Sequence, residues 1–147
     1  MSGTLFWVID IRDYNEDRVS IILNIAKPNN RSEENWPKCS FFGVYDGHGG
    51  SSCADFLRDN LHQFVIEEPS FPNYPAKALR NGFQAAEEYF LKLSQSPEHN
   101  DKSGSCCVVA MIVGETCYIA NVGDSRAIVS LYFIMQRIEE EEKEWKR

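Results

Sequence analysis

Phe41-Phe42-Gly43-Val44-Tyr45-Asp46-Gly47-His48-Gly49-Gly50 is the stretch on which the fold of this chain turns. Five residues of strand character run into an acid, then into a loop holding three glycines and a histidine. Asp46 is therefore expected at the mouth of a strand, held firmly yet able to meet solvent. The glycines let backbone approach a ligand closely and adopt positive φ without steric penalty. A helix pattern follows at once. Strand, acidic loop and helix in that order suit a metal or phosphate site. The same residue types also make an ordinary turn, so the stretch by itself leaves site and turn both open.

Length and charge narrow the classes. The chain has 147 residues, 43% hydrophobic and 12% aromatic, enough for one ordinary domain. A net charge of −7 with no basic patch argues against a nucleic-acid surface. No apolar run approaches the length of a membrane span. Leu5-Phe6-Trp7-Val8-Ile9 is too short for a signal core and meets Asp10 immediately. With no targeting segment in view, cytoplasm or nucleus is the expected location. The five cysteines form no Cys-x-x-Cys pair and no zinc-like spacing, and are read as reduced thiols.

Around the central stretch, residues 4–11 and 18–25 read as strands, rich in β-branched and aromatic residues. Residues 27–38 read as a loop. Residues 39–45 are apolar on both sides and are expected to be buried on both faces. Ser51 or Ser52 can cap a helix to about Val65, whose stripe is Ala54, Leu57, Leu61 and Phe64. After Pro69, Pro72 and Pro75, a second helix is marked by Leu79, Phe83, Ala86, Phe90 and Leu93. Then the period changes to that of strands at 106–113, 116–122 and 126–133. Turns at Gly114-Glu115 and Gly123-Asp124-Ser125 separate them, predicting a three-strand meander. Residues 136–147 are almost wholly charged, as a solvated helical end or a frayed tail would be.

Glu16/Asp17, Asp46 and Asp124 fall at predicted strand ends or turns. Carboxylates gathered at one edge of a sheet suit hard cations such as Mg²⁺ or Mn²⁺. Without a cation their mutual repulsion would be costly. Scattered turn acids give the same spacing.

Four segments taken together add a resemblance. Asn15-Glu16-Asp17-Arg18, Phe42 to Gly50, Ser103-Gly104-Ser105 and Ala120 to Ala127 resemble successive motifs of the protein phosphatase 2C family. The family comprises metal-dependent serine/threonine phosphatases, and the motifs occur in family order with two helices between the second and third. The resemblance covers roughly residues 4 to 130. It implies an α+β fold, an antiparallel β-sandwich flanked by helices, of which this chain is expected to hold roughly the first half. Residues 1–130 would be the phosphatase-like part and 131–147 a divergent charged tail.

The resemblance also implies roles. Asp46 would bridge two divalent cations about 3.5–4 Å apart, Mg²⁺ or Mn²⁺. Gly47 would give its carbonyl to one of them, and Glu16 and Asp17 would hold the metals largely through water. Arg12 matches the phosphate-binding arginine, His48 the group that protonates the departing serine or threonine oxygen, and Asp124 a ligand of a third, weaker metal site. Read from the residues, Arg12 could equally be a surface ion pair and His48 a turn histidine, while His62 and His99 are expected at the surface. The implied reaction is direct hydrolysis of a phosphoprotein by metal-activated water, with no cysteine nucleophile. The chain departs from the family pattern at Ile11, where glycine usually precedes the arginine. It also departs after Ser130, where the family's later metal-binding aspartates have no counterpart. The expected alternative is therefore a catalytically inactive fragment that acts at most as a binding or regulatory protein.

Overall fold

The computed structural model describes residues 14–29, 31, 35–95 and 101–130. The predicted first strand, Arg12, His99 and the charged tail lie outside the described residues. Element order is β1 (Arg18–Ile22), β2 (Cys39–His48), α1 (Ser52–Glu67), α2 (Pro75–Ser94), β3 (Gly104–Val113) and β4 (Thr116–Val122). The four strands form one antiparallel sheet in the order β1-β2-β3-β4. The turn from β3 to β4 places Gly114 at φ +60°, a conformation that glycine adopts without a Cβ clash.

Alternation along β2 sets the layers. Cys39, Phe41 and Tyr45 are fully buried, and Cys107, Val109 and Met111 of β3 join them. Against this face lie Ala54, Leu61 and Val65 of α1 and Ala78, Leu79 and Ala86 of α2. Phe71, from the loop between the helices, plugs the end of the core and meets Trp36 edge-on at 5.2 Å. The opposite sheet face is apolar and open. Ile21 is 61% exposed, Val44 46% and Ile119 47%. The expectation that residues 39–45 are buried on both faces is thus corrected. Among the described residues β2 buries its odd positions under the helices and leaves Val44 uncovered.

Three further expectations change. The strand predicted over 18–25 ends at Ile22. Residues 126–130 are irregular rather than strand, so the described meander is the β3–β4 hairpin alone, and residues 131–133 lie outside the described part. His62 is half-buried rather than at the surface. Its ring sits 6.2 Å from that of Phe41, burial pushes its imidazole below the ordinary histidine range, and Nδ1 has no hydrogen-bond partner among the described residues.

α1 and α2 pack antiparallel, pairing Phe56 with Tyr89 and Phe90 near one end of the contact and Val65 with Gly82 near the other. A Cβ at Gly82 would lie 2.9 Å from Val65 Cα and 3.0 Å from Val65 N. Alanine there gains about 1 kcal/mol of helix propensity. Overpacking against backbone, which no rotamer change relieves, costs about 1–3 kcal/mol. Gly82→Ala should therefore destabilise the chain in a denaturant titration, and an unchanged or raised midpoint would contradict the close helix crossing.

Candidate metal and phosphate site

The site forms where β2 leaves the sheet. The strand was expected to end at Tyr45, yet the ladder continues to His48, with Asp46 opposite Cys106 and His48 opposite Gly104. Asp46 and His48 are both exposed, and Asp46 shares the open face with Cys106. The loop proper begins at Gly49 (φ +69°) and Gly50 (φ +124°).

Gly47 pairs with Ser105 within the ladder, and position 47 has no room for a side chain because the chain at Glu16 crosses directly over it. A Cβ there would collide with the Glu16 carbonyl oxygen and lie 3.1 Å from Glu16 Cβ. That crossing buries Glu16, whose Oε1 accepts the Gly50 N–H at 2.6 Å. Glu16 thus ties the first motif to the glycine loop. Asp17 is exposed, and its N–H is taken by Asn15 Oδ1 at 2.7 Å.

Arg18 anchors the same crossing from the other side. Its Nε and Nη2 fork onto both oxygens of Asp55 in the first turn of α1, at 2.6 and 3.1 Å. Its Nη1 donates to the carbonyls of Asn15 and Asp17. Hydrogen bonding from the guanidinium holds the Asp55 carboxyl below the usual carboxylate range.

Asp124 lies beyond the end of β4, in a turn closed by Asn121 Nδ2 donating to the Ser125 carbonyl at 2.7 Å. The Cys106 thiol donates to Asp124 Oδ1 at 3.2 Å, so Cys106 stands between Asp46 and Asp124. The two carboxylates are therefore set apart by a strand, and Glu16 is already committed to Gly50. Among the described residues no three His, Cys, Asp or Glu side chains converge closely enough to hold a metal ion.

The sequence model of the protein phosphatase 2C family matches residues 11–132. This chain belongs to the protein phosphatase 2C family. It is 40% identical over 119 residues to the probable protein phosphatase 2C 54 of Oryza sativa subsp. japonica, covering 81% of this chain and 31% of that one. It is 36% identical over 118 residues to the protein phosphatase 2C homolog 2 of Hypocrea jecorina, covering 79% and 26%. The chain thus spans about a third or less of these relatives. A serine-threonine phosphatase 2C from Toxoplasma gondii shares the fold over 78% of this chain and 40% of its own, with a TM-score of 0.63 and 21% identity. A bacterial serine phosphatase does so over 78% and 44%, with a TM-score of 0.60 and 27% identity.

Set against the protein phosphatase 2C motifs, the geometry unites Glu16 with the Gly47–Gly50 loop and keeps Asp124 at a distance. Arg12 lies outside the described residues. Two connections had no signal in the sequence, Arg18 with Asp55 and Ser103 with Cys53. The second matters because Ser51, at the N-cap position of α1, makes no side-chain cap. Ser103 Oγ accepts the Cys53 N–H instead, at 3.0 Å. Behind the loop, between the helices and β3, a cavity of ≈ 500 Å³ is lined by His48, Cys53, Leu57, Leu61, Phe83 and Phe90 among others. Burial pushes the Cys53 thiol up to about 11 and Cys107 up to about 12, so neither supplies a thiolate there.

Proposed function

We propose that this chain carries the Asp46-Gly47-His48 portion of a metal-dependent phosphoserine/phosphothreonine phosphatase site. The observation that supports this is the exposed pair Asp46 and His48, held at the end of a ten-residue strand by the Glu16–Gly50 clamp. The donor set fits a hard divalent cation in kind, since carboxylate and carbonyl oxygens suit Mg²⁺ or Mn²⁺. It fits only part of a shell. Asp46 and the Gly47 carbonyl would be direct ligands, with Glu16 and Asp17 holding metal-bound waters and Asp124 serving a separate, weaker site. When bound, such cations supply a water acidified enough to hydrolyse a phosphate ester near neutral pH.

The remaining roles belong to the chain's own groups. His48, at the solvent end of the ladder, would give a proton to the departing serine or threonine oxygen. Arg12 would grip the phosphate through its planar fork. The buried thiols take no part. The substrate would be a phosphoprotein. Residues 1–130 would be the phosphatase-like part and 131–147 a divergent tail.

The second reading, a phosphatase-like chain that binds without turnover, draws on the absence of a converging three-donor set among the described residues. Phosphate release from a phosphothreonine peptide, followed with Mn²⁺ or Mg²⁺ and again after chelation, separates the two. Release that stops on chelation supports the enzyme. Metal binding in a calorimeter without release supports the second reading. Neither binding nor release would defeat both.

A further inference from the structure

We propose that Ser103 and Gly104 are positioning residues for His48, a role that rests on the reading of His48 as the proton donor. His48 and Gly104 are cross-strand partners in the last rung of the β2–β3 ladder, so any side chain at 104 would share a face with the imidazole. A Cβ on Gly104 would lie 2.9 Å from His48 Cε1 and 3.3 Å from Cδ2, and would overlap Nε2. The ring therefore lies directly on the Gly104 backbone. It occupies the space that every other residue type would fill.

Ser103 ties this seat to the rest of the site. Its Oγ accepts the Cys53 N–H in the first turn of α1, and its own N–H is held by Asp101 Oδ1 at 2.8 Å. The two glycines of the loop lean on the same short segment. A Cβ on Gly50 would stand 3.4 Å from Ser103 Cβ, and one on Gly49 would stand 3.4 Å from the Lys102 carbonyl oxygen. Residues 101–104 thus fix three things at once: the ring of His48, the path of Gly49-Gly50 and the start of α1. Gly104 supplies space and Ser103 supplies the hydrogen bond that keeps that space in place.

The test follows the His48 ring by NMR in the full chain, with the His62 ring as internal control. In the unsubstituted chain the His48 ring protons should show cross-relaxation to the Gly104 α protons. In Gly104→Ala the colliding atoms are the far end of a side chain, so the fold should survive while the His48 ring resonances shift and those of His62 stay. Unchanged His48 resonances would overturn the proposal. If Gly104→Ala does not fold, the double variant His48→Ala/Gly104→Ala should fold, because the obstructing ring is gone. Failure of that variant as well would also overturn it. Ser103→Ala should speed exchange of the Cys53 amide about fivefold and weaken the His48–Gly104 cross-relaxation, while Ser103→Thr retains both. A His48 signal indifferent to Ser103→Ala would remove Ser103 from the proposal. None of these readouts needs turnover. A chain without phosphatase activity that passes them refutes the functional reading and leaves the seat standing.

Discussion

Asp46→Asn should weaken binding of Mg²⁺ or Mn²⁺ by more than about 100-fold in a calorimetric titration. The scale comes from partners one step removed from a metal, whose loss costs about 10–100-fold. A direct ligand should exceed that. Asp46 is the carboxylate on which the effect concentrates, because Glu16 is engaged, Asp124 is displaced and Asp17, though exposed, would act only through metal-bound water. Glu16 is buried and accepts the Gly50 N–H. Asp124 takes the Cys106 thiol one strand away. Asp46 is exposed, and no donor among the described residues hydrogen-bonds its carboxylate. Asparagine keeps the shape and removes the charge, so the fold should hold and its thermal midpoint should stay close to that of the parent. An unaltered titration curve would show that the metal is held elsewhere.

Phe41→Ala and Phe42→Ala should differ sharply although the residues are neighbours. Phe41 is fully buried beneath the helices and touches the His62 ring. Its truncation removes a large side chain and leaves a cavity, costing about 3–5 kcal/mol. Phe42 points to the open face between Ile21 and Ala110 and is only partly covered. Its loss should cost less than about 2 kcal/mol, since full burial of such a side chain is worth about 1.5–3 kcal/mol. Denaturant midpoints of the two variants decide the matter. A one-residue slip of β2 would exchange the two values, because neighbouring side chains face opposite sides of a sheet.

The contrast between these two phenylalanines also marks the limit of what the sequence discloses. Phe41-Phe42-Gly43-Val44-Tyr45 is uniformly apolar, so the pattern announces a strand but not which face is covered. The helices were legible because Leu57, Leu61, Leu79 and Phe83 repeat at helical spacing. The first, expected from Ser51 or Ser52 to about Val65, agrees closely with α1, while α2 begins at Pro75, inside the stretch read as loop. Asp46, Gly47 and His48 were legible as a motif. Their placement inside the ladder was not, since Asp-Gly-His-Gly-Gly reads locally as a turn and only pairing with Gly104-Ser105-Cys106 keeps it extended. Contacts between distant segments left no trace in the sequence. Nothing in Ser103 announces that it caps α1, nor does anything in Arg18 name Asp55. His62 carries no motif and so reads as a surface residue; its place beside the Phe41 ring comes from packing between distant segments.

The rung that joins His48 to Gly104 has a further meaning for how the chain assembles. Strand order in the sheet equals chain order, so β1–β2 and β3–β4 each close locally. Among the described strands, the β2–β3 ladder alone must bridge the two helices. In an antiparallel pair the shortest bridge is the rung nearest the connection, and here that is His48 with Gly104. Loop-closure entropy grows with the length enclosed, so zipping from this corner outward is the least costly route to the sheet. The residues gathered for chemistry would then also be those that bring the two halves of the sheet into register.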